Sequence, residues 1–457
     1  MKTIVEPKEH IDKLWGKQRI NETEIYRLMH YVLRIEKDDK VLLHNVVTGQ
    51  LAELDRGETD MLTELPKAYS PEMEQLVTGH YLVPEGFDEY KSVNQLRKVY
   101  QTRQILATGS AINHYVILPT TFCNAHCFYC YESDYPRVHM TKETAEEIID
   151  YIAEHHQGKQ VSIQWFGGEP LVGIERIDQI SQGLKERKIP FIASMITNGY
   201  LFDENIIERS VELWKLTRVQ ITLDGTEENY NRVKAYVNVK DNPFQRVLRN
   251  IDLLSSKKIR VSIRLNVDFY NQDDIRILIG ELEKRYADNQ YVSVYLNMLF
   301  NDAGYEPVRH SQDDMVKLVN IISECTDQLK GLRLSSDNLK PPYLQFSQCM
   351  ADNPHSVLIQ PDGGFCRCEH ENIHDRYGSI QEGVVDAKKL ERWRETLEHS
   401  DQCPVCALYP SCYGLRYCMS ADQPCTDKLQ KGNLEKQKKR IESIYIHTME
   451  GKKDESI

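Results

Sequence analysis

Between residues 115 and 329, short apolar, β-prone runs alternate with longer stretches of helical periodicity, and this alternation limits the fold more than any other feature. Strand-like segments lie at 115–118, 161–166, 191–196, 219–223, 260–267 and 292–299. Helical stretches lie at 142–155, 174–186, 204–214, 244–255, 273–285 and 312–329. Six βα units imply parallel strands joined by right-handed crossovers. Eight units would close a barrel, so six predict an open, partial (β/α)6 barrel of the α/β class, with reactive groups on the loops after the strand C-termini.

The first of those loops reads Cys123-Asn124-Ala125-His126-Cys127-Phe128-Tyr129-Cys130. Three thiolates this close can hold one metal cluster. A [4Fe–4S] cluster needs four ligands and takes them mostly from cysteine, so three leave one iron open. A structural zinc would need a fourth protein ligand, for which His126 is available but awkwardly placed inside the loop. A disulfide cannot use three cysteines evenly.

The twelve cysteines cluster: three at 123–130, eight between 349 and 425, and Cys325 alone within a helical apolar pattern, where a buried core role is expected. The start of the chain lacks a signal-peptide apolar region, and no apolar run approaches the roughly 20 residues of a membrane helix. These features predict a cytoplasmic protein whose thiols serve metals rather than disulfides. A formal charge of -12 argues against non-specific nucleic-acid binding, which needs a basic face.

The second strand runs into Trp165-Phe166-Gly167-Gly168-Glu169-Pro170, where two glycines let the backbone approach a ligand. Together with the CxxxCxxC loop and its Tyr129 before the last cysteine, this resembles the radical S-adenosylmethionine (SAM) superfamily. The resemblance implies a [4Fe–4S] cluster on Cys123, Cys127 and Cys130, with its open iron chelated by the amino and carboxylate groups of SAM. It also implies a SAM site made by Tyr129, the Gly167-Gly168-Glu169 backbone, Asn198, Thr222 near the SAM carboxylate, and Arg232. From the residues alone, Asn198 and Asp224 are equally turn formers.

The C-terminal cysteines, Cys349, Cys366 and Cys368 followed by Cys403, Cys406, Cys412, Cys418 and Cys425, resemble a SPASM domain, the auxiliary-cluster extension of radical SAM enzymes that modify peptides. Five residues separate Cys412 from Cys418 where the family pattern has three. The resemblance implies one auxiliary cluster on Cys349, Cys368 and Cys418, and another on Cys403, Cys406, Cys412 and Cys425. Cys366 is a further ligand for the first, since strand geometry puts it on one face with Cys368; the alternative is a spare thiol beside an open iron. In all, three [4Fe–4S] clusters are expected. Glu369 matches the position of a catalytic Asp in sulfatase-maturing relatives and is the candidate base.

Strand-like runs at 31–36, 41–45 and 50–54, then helices at 58–65 and from Ser70-Pro71 to about Gly79, resemble the PqqD-like recognition element, a winged-helix module that binds the leader of a ribosomally made precursor peptide. Such a module works by strand addition to an open sheet edge. The division expected is 1–90 recognition element, 91–113 linker, 114–330 radical SAM core, 331–430 SPASM domain and 431–457 terminal helix and tail, frayed from 451. The resemblances together imply a peptide maturase of the sactipeptide, ranthipeptide or streptide-cyclase kind. It would abstract hydrogen through a 5′-deoxyadenosyl radical, install a thioether, and draw electrons from a donor such as flavodoxin or ferredoxin. A carbon–carbon crosslinking cyclase, a formylglycine-forming sulfatase maturase and a zinc-holding scaffold without redox activity are the alternatives.

Overall fold

A computed structural model describes residues 1–37, 40–109, 111–299, 312–330, 334, 341–371, 373–396, 400–418 and 425–454. Asp38, Asp39 and the last three residues lie outside the described residues. The chain divides into two compact units. One comprises Met1–Ala107, Asn338–Gln348 and Glu395–Ile457; the other comprises Thr108–Asp337 and Cys349–Arg394. The cysteine-rich stretch at 331–430 therefore contributes to both.

The second unit is built on a sheet whose six core strands are, in chain order, His114–Ile117, Val161–Trp165, Phe191–Thr197, Leu216–Leu223, Arg260–Val267 and Val292–Met298. They pair in that order, all parallel. Beyond the first, Ser356–Ile359 joins parallel, and three short antiparallel strands follow it. Among the described residues the sixth strand pairs only with the fifth, so the sheet stays open. This is the open, largely parallel α/β core the alternation predicted.

Side-chain alternation explains why the helices cover one face. Ile163, Trp165, Ala193, Met195, Val219, Ile221, Ile263 and Leu265 are buried with Ile148, Ile152, Ile177, Ile180, Ile251 and Leu278 from the helices. The intervening positions, such as Gln164, Ser194, Gln220, Thr222, Arg264 and Tyr295, are polar and half-buried. One apolar and one polar face is the pattern of a sheet packed on a single side.

In the first unit an antiparallel sheet runs in the order Lys2–Val5, Leu51–Leu54, Lys40–Asn45, Val32–Lys37, and a second runs Lys67–Ala68, Ile25–Leu28, Leu82–Pro84. The helix Arg56–Thr63 starts in a capping box between Asp55 and Glu58. The terminal helix Asp427–Asp454 continues past residue 451, where fraying was expected. Its Ile441, Ile444 and Tyr445 pack on Ile4, Leu33, Ile35, Leu42 and Leu51 of the first sheet. Among the described residues no helix is long and apolar enough to cross a membrane.

Candidate active site

The cysteine loop follows the first core strand and is laid against the glycine turn that ends the second. Gly168 N donates to the Thr120 carbonyl at 3.3 Å, and Glu169 N to that of Phe122 at 2.9 Å. The approach is too close for side chains. A Cβ on Gly167, whose φ is +114°, would meet the Thr120 oxygen at 2.3 Å, and one on Gly168 would meet the Phe122 and Thr121 oxygens at 2.5 and 2.6 Å.

Glu169 is fully buried, with both oxygens taken by the protein. It accepts from Leu171 N at 3.1 Å, Thr197 Oγ1 at 2.8 Å and Asn198 N at 2.8 Å. Burial pushes its carboxyl up to about 7 against these donors. The carboxylate thus staples the glycine turn to the end of the third strand. From there Asn198 donates to Asn124 Oδ1 at 2.7 Å and lies 4.0 Å from Cys123 Sγ.

The other side of the loop is anchored by a buried ion pair. Lys234 Nζ lies 2.8 Å from Asp224 Oδ2, both nearly inaccessible. Tyr129 Oη donates to the same carboxylate at 2.7 Å and accepts from Lys234 at 3.0 Å. Asn266 Nδ2 donates to the other oxygen at 3.0 Å. Burial alone would lower the Lys234 ammonium, but the Asp224 carboxylate raises it well above its ordinary value. The Lys234 carbonyl accepts from His126 N at 2.9 Å.

Thr222 is half-buried on the polar face of the fourth strand, and Arg232 is exposed, donating to Asn229 Oδ1 at 2.6 Å. Sequence reasoning chose Arg232 and passed over Lys234, two residues on; only the helix Glu227–Lys234 sends one out and the other in. Its polar run, Glu227 to Arg232, carries no apolar periodicity that would reveal a helix.

The loop's own residues fit an iron–sulfur cluster. The donors are soft thiols, which suit such clusters. Burial pushes Cys123 up to about 12 and Cys130 up to about 11 and raises Cys127, so a bound cation is what would hold them as thiolates. The Asn124 Nδ2 beside them is buried with no hydrogen-bond partner, and the bare glycine backbone is the cradle a Cβ would fill. His126, the zinc alternative's fourth ligand, is exposed. Among the described residues no three His, Cys, Asp or Glu side chains are grouped to hold one metal ion.

Residues 117–282 match the model of the radical SAM superfamily. They are a radical SAM domain. Members of that superfamily are enzymes, so the chain is an enzyme, and the match implies SAM and a [4Fe–4S] cluster. It is 24% identical over 454 residues to the radical SAM cyclopropyl synthase TigE of Paramaledivibacter caminithermalis, covering 79% of this chain and 94% of that one. Among solved structures, native anSMEcpe with bound AdoMet and Cp18Cys peptide aligns at TM-score 0.56 and 17% identity, over 75% of this chain and 99% of that one. Streptococcus suis SuiB bound to precursor peptide SuiA aligns at TM-score 0.51 and 16% identity, over 88% and 96%.

The remaining cysteines fall in both units. In the radical SAM unit, Cys368 is raised by burial and by the nearby Glu369, with Cys349 also in electrostatic reach. The strand expected to carry Cys366 and Cys368 on one face stops at Cys366, because Glu371 takes the next two backbone N–H groups, Arg367 at 2.6 Å and Cys368 at 3.2 Å. Cys366 packs with Val116, Leu118 and Leu358, and burial pushes it up to about 12. Arg367 fixes the Cys349 loop by donating to the carbonyls of Ala351, Asn353 and Ser356.

Glu369 lies 3.9 Å from Cys368 Sγ and acts electrostatically on Tyr131 and Glu132 of the cysteine loop. Glu132, a buried carboxyl that sequence reasoning missed, looks like any polar residue in a loop.

In the other unit, Cys412 is raised by burial first and then by the negative charge that Cys425, Cys403 and Cys406 would carry within electrostatic reach. Buried Arg97 fixes their loop by donating to the Tyr409, Pro410 and Cys412 carbonyls at 3.0–3.2 Å. Cys418 belongs to this unit, where Gln348 Nε2 contacts its sulfur at 3.3 Å. Cys325 is fully buried in the core of the radical SAM unit.

Proposed function

We propose that this enzyme is a cytoplasmic maturase of a ribosomally made precursor peptide, forming an intramolecular crosslink, a thioether in the first instance. The observation that carries the reading is the cysteine loop laid against the Gly167–Gly168 turn in a chain with a second run of cysteines at Cys403, Cys406, Cys412 and Cys425, because a second redox centre suits a reaction that removes two electrons from its substrate. Likeness over most of its length to SuiB, solved with a precursor peptide, supports a peptide as substrate. The antiparallel sheet ending at Val32–Lys37, paired on one side only among the described residues, supports leader docking by strand addition.

Cys123, Cys127 and Cys130 would hold the cluster, and the Gly167–Gly168 backbone, Asn198 and Thr222 would line the SAM site. When bound, the cluster and SAM together supply a one-electron reductive cleavage that yields a hydrogen-abstracting radical. The chain's own contribution is position. Glu169 locks the glycine turn against the loop, and the Tyr129, Asp224 and Lys234 network holds the loop's far side. Glu369 Oε2 receives the proton released as the crosslink closes. Cys349, Cys366 and Cys368 in one unit and Cys403, Cys406, Cys412 and Cys425 in the other would hold the auxiliary clusters, and an external donor such as flavodoxin or ferredoxin would supply the electrons.

Co-expression with any short reading frame found beside the gene, followed by mass spectrometry, tests the reading. A thioether removes two hydrogens and keeps the sulfur in a form that alkylating reagents no longer label. Formylglycine formation removes the sulfur, and a carbon–carbon bond leaves the cysteine alkylatable. Full-length precursor should react faster than its leaderless core. Deleting residues 1–90 would be a poor substitute, because Leu344 and Tyr409 share that segment's core and would be laid bare.

A further inference from the structure

The polar face of the core sheet carries an unbalanced charge. In register across it, Arg218 stands beside Arg260, and Arg264 stands between Thr222 and Tyr295. No Asp or Glu occupies any position of this face in the six core strands. Elsewhere in the unit arginines have carboxylate partners, as Arg246 has Asp241 and Arg285 has Asp252. Among the described residues, Arg218 and Arg264 have none. Arg218 reaches only Ser262 Oγ, at 3.3 Å.

Arg264 is the better placed of the two. Its Nε donates to Asn266 Oδ1 at 2.9 Å, and Asn266 donates in turn to Asp224 Oδ1 at 3.0 Å. That is the carboxylate that anchors Tyr129 of the cysteine loop. Tyr295 lies within hydrogen-bond reach of the guanidinium and donates its own proton to Gln220 Oε1 at 2.7 Å. The guanidinium is therefore fixed from two sides, half-buried, at the end of the sheet where the chemistry is, with N–H groups left for an acceptor. A fixed, partly desolvated guanidinium is a strong and geometrically selective receptor for a carboxylate.

We infer that Arg264 is a specificity residue that receives a carboxylate of the peptide substrate, an Asp or Glu side chain or the C-terminus, on the helix-free face of the core sheet. The inference rests on the reading of the substrate as a peptide. It adds what that reading lacks, a charge requirement close to the reacting position.

Three short N-terminally blocked peptides test it on the anaerobic, SAM-loaded full chain: an amidated one with a central Asp, the same with Asn, and the Asn version with a free C-terminal carboxylate. Titration calorimetry should find one carboxylate-bearing probe bound about tenfold tighter than the fully neutral one, and which probe it is identifies the source. In Arg264→Gln the ratio should fall to near one, and Arg264→Lys should keep part of it. Equal binding of all three probes to the unsubstituted protein, or a preference that survives in Arg264→Gln, would overturn the assignment. So would a loss of SAM affinity in Arg264→Gln with the peptide preference intact, which would give the arginine to SAM. A carboxylate preference without any crosslinked precursor would leave this inference standing and remove the proposed reaction; a crosslinked precursor without the preference would do the opposite.

Discussion

At the scale of single residues, the site depends on one buried charge pair and two missing side chains. Removing Lys234 leaves Asp224 ionised and unpaired inside the protein, a change that costs about 3–5 kcal/mol. Lys234→Met should therefore lower the denaturant midpoint of the radical SAM unit strongly. Adding Asp224→Asn should recover part of the loss, and additive losses in the double variant would show that the pair is not coupled. Gly168→Ala places a methyl 2.5 Å from the Phe122 oxygen, so the glycine turn must move off the cysteine loop. SAM affinity, measured by equilibrium dialysis, should fall about tenfold or more for a near-ångström displacement. Gly280→Ala is the control. Nothing lies within 4 Å of its added carbon, and alanine in that helix should raise stability by roughly 0.8–1 kcal/mol.

At the scale of elements, legibility followed chemistry. The fifth core strand, Arg260–Val267, and the helices Lys142–His155 and Ile174–Glu186 stand at the positions their apolar periodicity indicates, because packing against one sheet face leaves no other register. Lys2–Val5 and Ile25–Leu28 escaped notice, since four-residue strands with charged members carry too short an alternation to stand out. Thr222 and Asn198 were chosen through the resemblance; Lys234 was not chosen, because its burial is decided by a polar helix. The strand Lys40–Asn45 carries its own prediction. His44 is fully buried, and burial lowers its pKa to about 4 although the Pro342 and Gln50 carbonyls oppose the change. The unfolded chain then binds the extra proton first, so this histidine's contribution is complete above about pH 6.5 and is lost as pH falls toward 4, by an amount on the order of 3 kcal/mol. Unfolding midpoints of the parent and His44→Gln should converge as pH drops through that window; a constant gap would contradict it.

At the scale of the molecule, sequence-distant segments close each core. The helix Asp427–Asp454 covers a sheet begun at Lys2, with Tyr445 Oη donating to Glu53 at 2.6 Å. Truncation at residue 426 uncovers Ile4, Leu33, Ile35, Leu42 and Leu51 and should lower the melting temperature of the unit that holds them, as calorimetry would register; an unchanged transition would mean that the helix is dispensable. The account as a whole stands on the loop of Cys123, Cys127 and Cys130 working as a radical SAM centre on a peptide. Anaerobically reconstituted protein given dithionite, SAM and its precursor should release 5′-deoxyadenosine together with a peptide lighter by two hydrogens. Absence of 5′-deoxyadenosine, or its undiminished release by a variant with all three cysteines replaced by alanine, would contradict the account at its centre.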